Sequence, residues 1–322
     1  MNKKTQRLNL KNIGKNSQIH KSSNIKCKIL KIGDNVTIEK GVSLTGEKIT
    51  IEDEVVIKSD TKITSKVIKI GKKTKVDSGC KIYALEKFMV GNRSDLCQCD
   101  IKGRNIKIGN DFFSSVTENE LLSIGGGSAF HPQSNLIIGD RCTIHDVYLN
   151  IAMPIIIGND VGISHGCKFY THFFWNSIFE GYPQKFEGIT ILDNVIIGAN
   201  SMFLPGIKLG KGCIVGASAV VTKDAPDFSI IGGNPAKIIK TKYLKKISKK
   251  EINNLMKNSL EWYIQVLKTK GFTIKKINNF DYRVSKKSDS DTHIVYEGNN
   301  NCNKDYQKAI VLCFGDIVIS KK

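Results

Sequence analysis

The sequence contains no apolar run of 18 residues, so no segment of it reads as a membrane-spanning helix. Its nine cysteines are an odd number with no disulfide-framework spacing and no paired CxxC sets. Cys97 and Cys99 form a lone CxC, better read as strand residues than as metal ligands. The opening MNKKTQRLNLKN lacks a signal-peptide pattern. These absences lead to the expectation of a cytoplasmic protein with no integral membrane segment. Also missing is any aromatic-interleaved basic run or nucleic-acid motif. Lys and Arg outnumber Asp and Glu by 49 to 30, but the lysines are scattered singly through turns. The excess therefore reads as a solvated face that favours acidic partners, with no nucleic acid expected among them.

What is present is a period. Ile13, Ile32, Ile51 and Ile70 are 19 residues apart, as are Ile19, Ile38, Ile57 and Val76, and again Ile25, Leu44, Ile63 and Ile82. Within each coil the step is six, or once seven, which fits neither a helix face nor a single strand. A short strand plus a turn, repeated three times per coil, does fit, and predicts coils stacked as parallel strands. The small, polar or Gly residues between, as in IGDNVTIEKGVSL, suit tight corners with positive φ. The phase continues through Val90, Leu96 and Ile108 and resumes at Ile138, Ile144, Ile151, Ile157, Ile163 and Phe169. It is cleanest at Ile197, Phe203, Leu209, Val215 and Val221.

Two breaks interrupt it, near 117–135 and 170–188. Unpatterned insertions in a solenoid are expected to leave the stack as loops, where sites are usually built. Beyond residue 240, Ile252, Leu255, Met256, Leu260, Tyr263, Ile264 and Leu267 have helical spacing closed by Gly271. Such a helix could cap the open end of the stack. The last fifty residues alternate in FTIKKI, IVYE and AIVLCFGDIVI around an EGNNNCNKD turn, predicting a small strand-rich appendix. The expected organisation is a repeat domain over 1–240 and a C-terminal helix plus small α+β appendix over 241–322.

The Ile-Gly-x-x-x-x hexads and the closing VVTKDAPDFSIIGGNPAKIIK resemble the hexapeptide-repeat acyltransferases, in particular their galactoside, maltose and polysaccharide O-acetyltransferase branch. The resemblance is strongest over 157–240 and extends more weakly back to about residue 13. It implies a mainly β chain, a left-handed parallel β-helix, assembled as a homotrimer with its sites at the seams between copies. It further implies transfer of an acetyl group from acetyl-CoA to a saccharide acceptor, with no metal.

Transfer to a sugar hydroxyl needs a general base with a pKa near 7, for which histidine is suited, and a donor for the tetrahedral oxyanion. His20 lies at a regular turn, His131 in the first break, and His293 in the appendix; His145 and His165 lie on hexad corners. His172 opens the second break in FYTHFFW, where the resemblance places the catalytic base. Glu180 or Glu187 in the same loop could orient it. Trp175, with Phe173 and Phe174, could form a platform for a sugar ring, and His165 is a second acceptor-side candidate. Ala199 and Ala217, 18 apart and so stacked, leave room for the pantetheine arm of the donor. Thr222, Lys223, Lys237 and Lys240 match the family positions that contact the nucleotide end of coenzyme A, where cations suit phosphates.

Three other readings compete. An N-acetyltransferase of a nucleotide-linked amino sugar often carries an N-terminal nucleotide-binding segment, and no Gly-rich βαβ unit precedes the repeats here. A zinc enzyme of the carbonic-anhydrase-like kind would need three converging histidines, for which His145, His165 and His172 supply the count. A non-catalytic scaffold would keep the hexads without needing His172 or the Thr222–Lys223 pair.

Overall fold

A computed structural model of the chain describes residues 13–116, 121–269, 272–276, 282–286 and 293–294. They fall into two units divided after Tyr243. The first unit is a left-handed parallel β-helix of hexapeptide repeats. On its first face eleven short strands stack in parallel, from Gln18–Ile19 to Ile230–Gly233, and Ala236–Lys240 closes the stack antiparallel. A second face runs from Asn24–Lys26 to Val220–Val221, and a third from Ile29–Ile32 to Lys208–Leu209. Lys62–Ile70, Lys81–Val90 and Cys99–Ile108 pass from the second face to the third without leaving strand conformation.

The period of 19 is the stacking register itself. Ile32 pairs with Ile51 and Ile51 with Ile70; Ile38, Ile57 and Val76 align likewise, as do Leu44, Ile63 and Ile82. These nine are buried, whereas Ile13, Ile19 and Ile25 are only partly so. They belong to the first described coil, which has a described neighbour on one side only. Higher in the stack the core admits aromatics, and the rings of Phe169 and Phe203 lie parallel with centroids 4.4 Å apart.

The edge between the third and first faces explains the Ile-Gly-Asx hexad. A Cβ on Gly14 would lie 2.3 Å from the carbonyl carbon of Gly33, so neighbouring backbones approach there as only glycine allows. The next residue supplies a side-chain ladder along the edge. Asp34 accepts from the Lys15 N–H at 2.7 Å, Asp53 from Asp34 at 3.0 Å, and, far along, Asp193 from Asn159 at 2.7 Å. Corners with positive φ hold the small or polar residues expected, the long charged Glu54, Lys73, Arg93 and Arg141 among them. The N–H groups of Glu54 and Lys73 donate to carbonyls of the preceding coil, which offsets the strain.

The break at 117–135 is not one loop. Leu122–Gly125 returns to the second face with Leu122 and Ile124 buried, and Asn135–Ile138 returns to the third. Residues 126–134 leave the stack between these two strands, and residues 117–120 lie outside the described ones. The break at 170–188 does leave the stack, as an antiparallel hairpin pairing His172–Phe173 with Lys185–Phe186.

In the second unit a helix spans Lys249–Thr269. Ser248 and Glu251 cap it reciprocally: the Glu251 N–H donates to Ser248 Oγ and the Ser248 N–H to Glu251 Oε2. Phe272–Lys276, Tyr282–Lys286 and His293–Ile294 form an antiparallel sheet. Gly271 and the EGNNNCNKD and AIVLCFGDIVI segments lie outside the described residues.

Candidate active site

His172 sits on the edge between the second and third faces, at the root of the hairpin. Strand Lys168–Phe169 stacks on Tyr148–Asn150, pairing Tyr148 with Lys168 and Leu149 with Phe169, so Asn150 lies one coil away from the turn that carries the histidine. His172 Nδ1 is 3.1 Å from Asn150 Oδ1. The amide orientation is fixed by its other partners: the Ala152 N–H can only donate, and it meets the same oxygen at 3.1 Å. Nδ1 therefore carries the proton and donates, which leaves Nε2 with a free lone pair. Thr171, fully buried, donates from Oγ1 to the Asn150 carbonyl at 2.9 Å and accepts from the Met153 N–H at 3.0 Å.

The imidazole is flanked by two rings, Phe174 at 5.1 Å and Phe186 at 5.6 Å, the latter nearly parallel. Partial burial holds its pKa below the ordinary imidazole value, because desolvation disfavours the cation. A neutral, oriented imidazole of this kind is suited to accept a proton near pH 7.

Neither glutamate orients it. Glu187 pairs with Lys185 at 3.1 Å, and Glu180 ends the short 3-10 helix Ile178–Glu180 at the exposed hairpin tip. Asn150 was invisible to loop-based reading because it comes from the core of the adjacent coil, 22 residues earlier; only the stacking distance could have pointed to it. Asn150→Ala should lower kcat about 10- to 100-fold, the order lost when an orienting partner of a working histidine is removed. Asn150→Asp should move the acid limb of the pH–rate profile upward, since a carboxylate on Nδ1–H favours the imidazolium. Steady-state kinetics across pH would check both.

Of the aromatic triplet, Phe173 is half-buried, whereas Phe174 and Trp175 are exposed. Trp175 is 87% exposed and Phe179 97%, and Phe174 and Trp175 stack at 5.8 Å. Of the other histidines, His20 Nδ1 meets Ser22, His131 Nδ1 accepts from the Gln133 N–H, and His145 Nδ1 meets Ser115 Oγ, 30 residues earlier. Burial also lowers the pKa of His145. His165 is exposed on the edge between the first and second faces, where its carbonyl accepts from the Asn200 N–H. Among the described residues no three His, Cys, Asp or Glu gather closely enough to hold a metal ion.

The donor candidates divide between edges. Ala199 and Ala217 stack as expected, the Ser218 N–H donating to the Ala199 carbonyl, and both lie on the first-to-second edge with His165. Thr222 and Lys223 follow Val220–Val221 and share the second-to-third edge with His172. Lys237 and Lys240 are exposed on the closing strand of the first face. Six extended residues span about 20 Å at most, so within one copy a whole face separates His172 from the two alanines.

Comparison with known proteins agrees with this architecture. A family profile described as bacterial transferase hexapeptide (six repeats) matches residues 188–223. A chloramphenicol acetyltransferase from Morganella morganii is 32% identical over 181 residues, covering 53% of this chain and 81% of that protein. The chain belongs to the hexapeptide-repeat acyltransferase family. Within this family, a 2,3,4,5-tetrahydropyridine-2,6-dicarboxylate N-acetyltransferase from Staphylococcus aureus is 44% identical over 70 residues, 22% of this chain and 29% of that protein. A hexapeptide-repeat acetyltransferase from Vibrio cholerae, solved with acetyl-CoA, is 26% identical over 43% of this chain and 71% of that one, with a TM-score of 0.29.

Proposed function

We propose that this acyltransferase is an acetyl-CoA-dependent O-acetyltransferase of a cell-surface saccharide or its precursor, such as a capsule, lipooligosaccharide or O-antigen sugar. The observation that carries the reading is the neutral His172, its Nδ1–H tied to Asn150 and its Nε2 free, at the root of an exposed aromatic hairpin. An acceptor hydroxyl attacks the thioester carbonyl as Nε2 takes its proton, and the tetrahedral intermediate collapses with release of the thiol, which recovers that proton. Trp175 and Phe174 offer the apolar face that stacks on a sugar ring. No described helix is long and apolar enough to cross a membrane, and the seven described cysteines are free thiols, as suits a cytoplasmic enzyme. Transfer to an amine is the second reading, favoured by the segment shared with the N-acetyltransferase.

The division of the site between two edges supports a homotrimer in which His172 of one copy faces Ala199 and Ala217 of the next. The hairpin fits that arrangement, since its exposed Trp175, Ile178 and Phe179 would be covered by a neighbour. Lys223→Ala should weaken acetyl-CoA binding about 10-fold, and less at high salt, because a cation on a phosphate is lost; calorimetry at two ionic strengths would check this.

Subunit mixing tests the seam. His172→Ala and Ala217→Trp should each be inactive as pure trimers, the second through a blocked pantetheine groove. Unfolded and refolded together in equal amounts, they should regain about a quarter of the wild-type sites by random assortment of copies. No recovery from a well-folded mixed trimer would place base and donor on one copy.

A further inference from the structure

A cavity of about 240 Å³ opens on the first-to-second edge, lined by Leu121, Ser123, Asp146, Tyr148 and Lys168 among others. Asp146 is 5% exposed, and its Oδ2 is buried with no hydrogen-bond partner among the described residues. Lys168 lines the same cavity yet makes no ion pair with it among the described residues. Between the registered pairs Ile144 with Ile163 and Tyr148 with Lys168, the turn carrying Asp146 is one residue shorter than the turn stacked on it. A largely buried carboxylate with one oxygen unpartnered is unfavourable, and one that also lines a cavity is placed to be satisfied from outside the fold. The core does not require it, since its neighbours Ile144 and Val147 fill the interior.

We propose that Asp146 is an acceptor-recognition residue, its carboxylate accepting hydrogen bonds from hydroxyls of a sugar ring seated in this cavity. The proposal rests on the seam described above, in which this edge faces His172 of the neighbouring copy. The lining fits a polyhydroxylated ring. Tyr148 and Leu121 offer apolar surface, Ser123 a hydroxyl, and Lys168 an ammonium that can donate to ring oxygens while Asp146 accepts from them. The volume is below the roughly 300–1,000 Å³ of pockets for drug-sized ligands, which suits a single ring. Asp146 adds to the acceptor site a charged acceptor that hydrogen-bonds hydroxyls about twice as strongly as a neutral group.

Asp146→Asn keeps the shape and removes the charge, and three measurements on the full-length protein decide the matter. The melting temperature should rise by about 2 °C or more, because an unpaired buried charge is relieved. Methyl glycosides of glucose, galactose and mannose, tested without acetyl-CoA by saturation-transfer NMR, should bind the wild type and lose about 10- to 100-fold in affinity in the variant. Affinity for acetyl-CoA should not change. A fall in melting temperature with glycoside binding intact would make Asp146 a structural residue and overturn the proposal, as would dissociation of the trimer, which would assign the carboxylate to the contact between copies. Should the wild type bind the glycosides through Asp146 yet acetylate none of them, the transfer reading fails and the recognition site stands. Should no glycoside bind the wild type, the recognition proposal fails on its own.

Discussion

Replacing His172 with alanine should lower turnover about 10²- to 10⁴-fold, the usual worth of a positioned general base, while the fold and acetyl-CoA binding survive. The side chain is only partly buried at the root of a hairpin outside the stacked core, so its loss removes one hydrogen bond to the adjacent coil, that to Asn150, and leaves the stacked core intact. In the wild type, kcat should fall on the acid side with a midpoint below the ordinary imidazole value. The sign follows from burial: desolvation disfavours the imidazolium, so the lone pair on Nε2 persists to lower pH than in a free histidine. His165→Ala is the matched control, since that exposed residue lies on a different edge. A dead His165 variant beside an active His172 variant would falsify the assignment of the base.

Ile51→Asp should abolish the native first unit. Ile51 is completely buried and registers between Ile32 and Ile70, so the new carboxylate would meet only aliphatic neighbours above and below. An unpaired charge there costs several kcal/mol, against a total stability of about 5–15 kcal/mol for a typical domain. Because each coil contacts only its neighbours, loss of this one also uncovers the coils on either side. Ile51→Val, which removes one methylene, should cost only about 0.5–1.5 kcal/mol. Circular dichroism melts with limited proteolysis would read both; an Asp variant melting within a few degrees of wild type would mean that Ile51 does not face the core.

The repeat was legible because stacking sets each core residue over its counterpart in the next coil, and most of those positions are aliphatic. That is why Ile32, Ile51 and Ile70 could be aligned from spacing alone and prove to be registered partners. His172, the candidate base, could be singled out because it stands where the period breaks. Its hydrogen-bond partner could not: Asn150 reaches it through coil stacking, and nothing near His172 in sequence announces it. Leu122–Gly125 was hidden for a related reason, since only two apolar side chains, those of Leu122 and Ile124, bury there before the chain leaves again. Asp146 left no trace in the pattern either, because its interest lies in a missing partner, and partners are a property of the fold. Arg93 and Arg141 at positive φ show the converse, with tertiary hydrogen bonding overriding the local preference for glycine or asparagine.

Acetyl transfer to a saccharide hydroxyl is tested most directly by its product. The purified protein should be incubated with acetyl-CoA carrying a labelled acetyl group and a panel of bacterial glycans, with chloramphenicol and an amino sugar included, and the products read by mass spectrometry before and after mild alkali. A labelled acetyl group on a glycan, lost on alkaline treatment as an ester is and absent with His172→Ala, is the predicted result. Label that appears only on the amino sugar and resists alkali, or only on chloramphenicol, would contradict it.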